Sequence, residues 1–156
     1  MGTRRILSLL AVLLWTTLIF YNSSHDSDQS LDKTYAVIGV IEEVIQRLTG
    51  TPASDRFQAF LWNDFVGILR KTAHVFQFFV LYVLVYFFLG GVQTNRKNLA
   101  IHSMLWCVAT AVLDEGYQAF IPGRGPSLLD VAIDTAGATC AAGAVFLFER
   151  KKRCKT

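Results

Sequence analysis

Four stretches of this chain, about Ile6 to Tyr21, His74 to Val92, Leu99 to Leu113 and Leu128 to Phe148, stay apolar for close to the length of a bilayer crossing. In hydrocarbon no water is present to satisfy backbone N–H and C=O groups, so a single segment can cross only as a helix that bonds to itself. With 53% hydrophobic and 13% aromatic residues, the chain is too apolar for an ordinary soluble domain. Its 156 residues leave room for one bundle of a few helices and none for a second core. The expected fold is an all-α polytopic membrane helix bundle. It has about four transmembrane helices plus one or two amphipathic helices on the outer side, as a single domain over residues 1–156.

The first stretch is short, and Arg4 and Arg5 before it give it the look of a signal peptide. It ends in Ile19, Phe20, Tyr21 and Asn22, without the small residues a signal peptidase reads, so an uncleaved anchor is expected. The third stretch reaches crossing length only by carrying Asp114 and Glu115 into the interface, which puts that acidic pair at a helix end.

Nine of the fifteen lysines and arginines lie in three segments: the N-terminus, the stretch holding Arg96 and Lys97, and the tail from Arg150 to Lys155. Four crossings place these segments on one side, so both termini are expected in the cytoplasm of a multi-pass cell-membrane protein. The opposite side receives residues 22–73 and 116–127, with nearly all the acidic residues there or at the helix ends beside it. The basic tail, residues 149–156, has a topological explanation through anionic lipids; no nucleic-acid partner is expected, and acylation of Cys154 is the other reading. Cys107, Cys140 and Cys154 are odd in number and widely spaced, which fits neither a disulfide framework nor a zinc site.

Within the long outer segment, Asn22 to Lys33 is polar and reads as a flexible strap. From Thr34 to Leu48 apolar residues recur at Val37, Ile38, Ile41, Val44, Ile45 and Leu48 opposite Glu42, Glu43, Gln46 and Arg47, the spacing of an amphipathic helix. Gly50, Thr51 and Pro52 stop it, and Ser54 or Asp55 is placed to cap a second helix with Phe57, Phe60, Leu61, Phe65, Ile68 and Leu69 that runs into the second span with a bend near Gly67. Both helices read either as scaffold or as a lid over an outer site.

The polar residues of the spans share a geometry. Arg70, His74 and Gln77 stand at i, i+4 and i+7 on one helical stripe, Asp114 and Gln118 are four apart, and so are Asp130 and Asp134. The last stripe continues through Gly137 and Ala141, small residues that let another helix approach closely. Arg124, between Pro122 and Pro126, can then fold back on the acids. A charge held at such a boundary costs free energy, and four explanations stay open: a structural network holding the helices in register, an anionic head-group site, a cation site of Asp114, Glu115, Asp130 and Asp134, or catalysis. No ligand spacing is diagnostic of a metal, and no phosphate loop or nucleophile elbow is present, so no metal, cofactor or catalytic residue is assigned. An ion pathway is disfavoured, because Leu81 to Leu89 and Ala138 to Phe148 carry no ionisable group beyond Tyr82, Tyr86 and Cys140.

Arg70-Lys71-Thr72-Ala73-His74 opening a membrane helix, then Asp114-Glu115 with Gln118, Phe120, Pro122-Gly123-Arg124, Asp130 and Asp134-Thr135 with Gly137-Ala138, resembles the VanZ-like family of small bacterial membrane proteins. The likeness covers about residues 66–145, with the motifs in matching order, and the Tyr21-Asn22-Ser23-Ser24 turn is also similar. Two departures are plain: members commonly carry Glu where this chain has Gln77, and His where it has Tyr117. The resemblance implies a role in the cell envelope and, through the member that names the family, low-level resistance to the glycopeptide teicoplanin. It implies no reaction.

The expected function is a non-enzymatic bundle whose outward polar cluster binds a lipid head group, a cell-wall precursor or a glycopeptide antibiotic. Its candidate ligand-binding residues are Arg70, Lys71, His74, Gln77, Asp114, Glu115, Gln118, Arg124, Asp130 and Asp134, with the three cations meeting an anion and the carboxylates holding them in place. The alternatives are a membrane enzyme acting on a lipid-linked envelope substrate and a purely structural or assembly factor. The lipid bilayer is the one firm partner, with an anionic lipid or cell-wall precursor as the specific one.

Overall fold

The computed structural model describes residues 2–24, 27–52, 54–61, 65–92, 95–121 and 125–153. Among them six α-helices follow one another: α1 Thr3–Ser23, α2 Ser27–Thr49, α3 Asp55–Phe60, α4 Val66–Gly90, α5 Arg96–Gln118 and α6 Leu128–Arg153. Among the described residues there is no strand. Three helical stretches are long and apolar enough to cross a membrane: Thr3–Ser23, Gly67–Gly90 and Leu128–Lys152.

Helix α5 has 23 residues but falls outside that group. The reason is visible in its sequence, which starts with Arg96 and Lys97 and ends with Asp114, Glu115 and Gln118. One face of its middle is covered by protein: α5 packs against α1, α4 and α6, and Ser103, Cys107, Thr110 and Ala111 are buried, while Leu105, Trp106 and Val112 on the other face are exposed.

Paired ends fix the relative directions of these four helices. The end of α1 meets the end of α5 through Ser23 and Asp114, and the starts of α4 and α6 meet through His74 and Asp134. At the other end the start of α5 meets the end of α6 through Arg96 and Glu149. Helices α1 and α5 therefore run antiparallel to α4 and α6. Between them lies one apolar core of Val12, Ile19, Phe78, Leu81, Val85 and Cys107, with Ala138 and Ala141 of α6. Outside it, Leu7, Leu14, Phe87, Leu113, Phe146 and Phe148 are all more than half exposed, an apolar surface that water would not tolerate and a lipid bilayer accepts.

Helices α4 and α6 approach each other closely. A Cβ added at Gly137 would overlap the Val75 carbonyl oxygen, so only glycine lets the two backbones meet there. A side-chain bond ties α1 to α4 as well, the Trp15 Nε1–H donating to the Gln77 carbonyl at 2.9 Å.

The outer segment departs from expectation at its start. Helix α2 begins at Ser27, so most of the stretch expected to be a flexible strap is helical. Residues 27–33 hold no Gly or Pro to break a helix. The helix ends as expected: Gly50, at φ +70°, takes the left-handed conformation that L residues avoid. The amphipathic face is only partly covered. Ile38 packs with Leu61, Tyr35, Ile41 and Phe65, while Val37, Val44 and Leu48 remain exposed. Ser54 stands at the start of α3 but makes no capping hydrogen bond; Leu61 and Phe65, on either side of residues 62–64, which lie outside the described residues, both keep helical backbone angles.

Candidate functional site

The polar residues at one end of the bundle come from four helices. Because α4 and α6 start where α1 and α5 end, His74 and Asp134 near two N-termini meet Ser23, Asp114 and Gln118 near two C-termini. Asp114 and Asp134 are both fully buried, and Glu115, Gln118 and Ser23 are nearly so.

At the centre the Ser23 hydroxyl donates to Asp114 Oδ2 at 2.7 Å, and Gln118 Nε2 donates to the same oxygen at 2.9 Å. Gln118 also reaches the Ser23 hydroxyl oxygen at 3.3 Å. The i to i+4 spacing of Asp114 and Gln118 thus appears as a direct bond within α5, and α1 is joined to it from 91 residues away. Both bonds hold Asp114 Oδ2 in place.

Across from it, His74 Nδ1 lies 3.4 Å from Asp134 Oδ1. That separation is long for a charge-assisted hydrogen bond, which is about 2.7–2.9 Å. One ligand atom from each of His74, Asp114 and Asp134 lies within 4.8 Å of the others. A nitrogen and two carboxylates therefore converge from α4, α5 and α6.

Glu115 has a different task. Its Oε2 accepts the backbone N–H of Ser127 at 2.7 Å, and the Ser127 hydroxyl in turn accepts the N–H of Asp130 at 3.3 Å. A serine three residues before that amide caps the start of α6, so Glu115 anchors the entry of α6 onto the end of α5. Asp130 itself is half-buried.

Two of the three cations expected in the site, Arg70 and Lys71, stand apart from the acids. Arg70 and Lys71 are exposed, and among the described residues neither makes an ion pair with the cluster. They stand about two turns before Phe78, where the core begins on α4, and long basic side chains of this kind extend outward. Arg124 lies outside the described residues. Gln77, half-buried, contributes its backbone carbonyl to Trp15.

The opposite end carries a second polar set that sequence reasoning did not single out. Tyr86 donates to Glu149 Oε1 at 2.9 Å, and Arg96 pairs with the other oxygen of the same carboxylate. Beside them a groove is lined by Tyr86, Phe87, Arg96, Phe148, Glu149 and Lys152. The only acidic residue within the basic tail region was a usable signal, since a lone carboxylate there needs a cation. Trp15 offered none, because its partner is remote in sequence, and Ser23 was marked only as part of the Tyr21-Asn22-Ser23-Ser24 resemblance. Cys107 is buried and Cys140 exposed, both as free thiols, and Cys154 lies outside the described residues.

A family model described as VanZ/LLP1 matches residues 8–149. No curated protein and no solved structure matches the chain.

Proposed function

Because the chain belongs to the VanZ/LLP1 family over residues 8–149, we propose that it is a four-pass envelope protein whose polar end holds the head group of an amphiphilic envelope component. A lipid head group, a cell-wall precursor and a glycopeptide antibiotic share the required chemistry: hydroxyls, amines or phosphates on an apolar anchor. The observation that carries this reading is the meeting of Ser23, His74, Asp114, Gln118 and Asp134 at one end of the helices. The buried carboxylates accept hydrogen bonds from hydroxyls or amines, and exposed Arg70 and Lys71 on the same end of α4 meet phosphate. Acyl chains lie against the exposed apolar helix faces.

In this reading α5 is the fourth crossing. Its 23 residues span roughly 35 Å, and its charged groups sit at its two ends. The basic end, with Arg5, Arg96 and Lys152, faces the cytoplasm with both termini, and the acidic end faces outward.

Native mass spectrometry of the protein released from membranes tests the proposal. A specific head-group class stays bound to the wild type and is reduced in Arg70→Gln/Lys71→Gln and in Asp114→Asn. Adducts that mirror the bulk lipid, equal in all three proteins, overturn it.

A second reading, a membrane enzyme acting on a lipid-linked substrate, is favoured by the approach of His74 to Asp134, an arrangement in which a carboxylate orients an imidazole as general base. Turnover of a labelled lipid-linked precursor, abolished in His74→Gln, decides for it. Retention without turnover decides for binding.

A further inference from the structure

We propose that His74, Asp114 and Asp134 hold a divalent first-row cation, Zn²⁺ or Mn²⁺, at the polar end of the bundle. Three independent helices deliver one ligand each, and the ligand atoms lie within 4.8 Å of one another. Two fully buried carboxylates so close together repel, and a bound cation is a charge that draws both to itself.

Asp134 supplies the second observation. It is fully buried, yet among the described residues neither of its carboxylate oxygens has a hydrogen-bond partner, and the Nδ1 of His74 facing it has none. A buried carboxylate is ordinarily satisfied. The 3.4 Å between His74 Nδ1 and Asp134 Oδ1, long for a hydrogen bond, matches the roughly 3.4 Å between two ligands on a tetrahedral ion with bonds of about 2.1 Å. Asp114 is held in orientation by Ser23 and Gln118, as metal-ligating carboxylates commonly are.

The donor set selects the class of ion. One imidazole nitrogen with two carboxylates suits zinc or manganese, whereas Mg²⁺ and Ca²⁺ prefer all-oxygen shells. Three protein ligands leave a coordination position for an exogenous oxygen. Resting on the head-group reading above, the ion would receive a phosphate or hydroxyl oxygen there, which gives an acidic cluster the means to hold an anion.

The test uses the full chain in detergent, stripped with chelator and titrated with Zn²⁺ or Mn²⁺ alone, with bound metal measured by elemental mass spectrometry and ligation by X-ray absorption. One equivalent per chain with nitrogen and oxygen neighbours is expected. Asp134→Asn and His74→Gln lower the affinity at least tenfold, Ser23→Ala lowers it by roughly 10-fold to 100-fold, and Glu149→Gln at the far end leaves it unchanged. Should Asp134→Asn not stay monodisperse, His74→Gln and Ser23→Ala carry the comparison. Less than a tenth of an equivalent on folded wild type, or binding indifferent to His74 and Ser23, overturns the proposal. Metal binding uses no lipid, so its failure is distinguishable from failure of the head-group reading.

Discussion

Gly137 of α6 rests directly on the backbone of Val75 of α4: a Cβ at residue 137 would overlap the Val75 carbonyl oxygen and come to 3.0 Å from the carbonyl carbon and Cα. The contact lies one turn beyond Asp134, so the spacing of α4 and α6 there controls the approach of His74 to Asp134.

Gly137→Ala is therefore expected to force the helices apart and destabilise the protein by roughly 1–3 kcal/mol, while Gly143→Ala is neutral or stabilising. A Cβ at residue 143 meets nothing within 4 Å, and alanine favours a helix over glycine by about 0.5–1 kcal/mol. Thermal unfolding in one detergent, with the two variants moving in opposite directions, checks this pair.

The Trp15 indole bonds a backbone carbonyl, that of Gln77. Trp15→Phe then removes a hydrogen bond worth about 1 kcal/mol, whereas Gln77→Ala keeps that bond because the acceptor is main chain. Equal losses of stability in the two variants would contradict this assignment.

Ser23 and Asp114 act as a unit across α1 and α5. Ser23→Ala removes a donor from a buried carboxylate oxygen and costs about 1–3 kcal/mol. In a double-mutant cycle with Asp114→Ala the two changes are non-additive. Additive values measured by denaturation in mixed micelles would separate the residues.

At the basic end, Glu149 accepts from Tyr86 and pairs with Arg96. Arg96 is half exposed, so its ion pair contributes under about 1 kcal/mol and weakens with salt. Tyr86→Phe should therefore lose about as much stability as Arg96→Gln, and only the Arg96 effect should shrink in high salt.

The long helices were legible because hydrocarbon length and apolar runs determine them: α1 and α6 fall on the expected spans and extend past them, since Thr3 to Arg5 and Glu149 to Arg153 lose no backbone bonds by continuing the turn. α2 was half legible. Its apolar spacing announced residues 34–48, but Ser27 to Lys33 carries no period to distinguish a polar helix from a strap. The polar stripes of α4, α5 and α6 were visible from i to i+4 spacing, and so was the small stripe at Gly137 and Ala141. What no local pattern encodes is which stripe faces which. Ser23 joins Asp114 across 91 residues, and His74 meets Asp134 while its neighbours Arg70 and Lys71 point away from the core. Those pairings follow from packing, which a single chain does not write into spacing.

Cysteine cross-linking in intact membranes tests most directly whether these distant residues share one end of one bundle. With Cys107, Cys140 and Cys154 replaced by alanine, Ser23→Cys paired with Gln118→Cys should be joined by a short thiol-reactive linker, seen as a linked peptide by mass spectrometry, and Ser23→Cys paired with Glu149→Cys should not. Linkage of residue 23 to residue 149, with none to residue 118, would contradict the account.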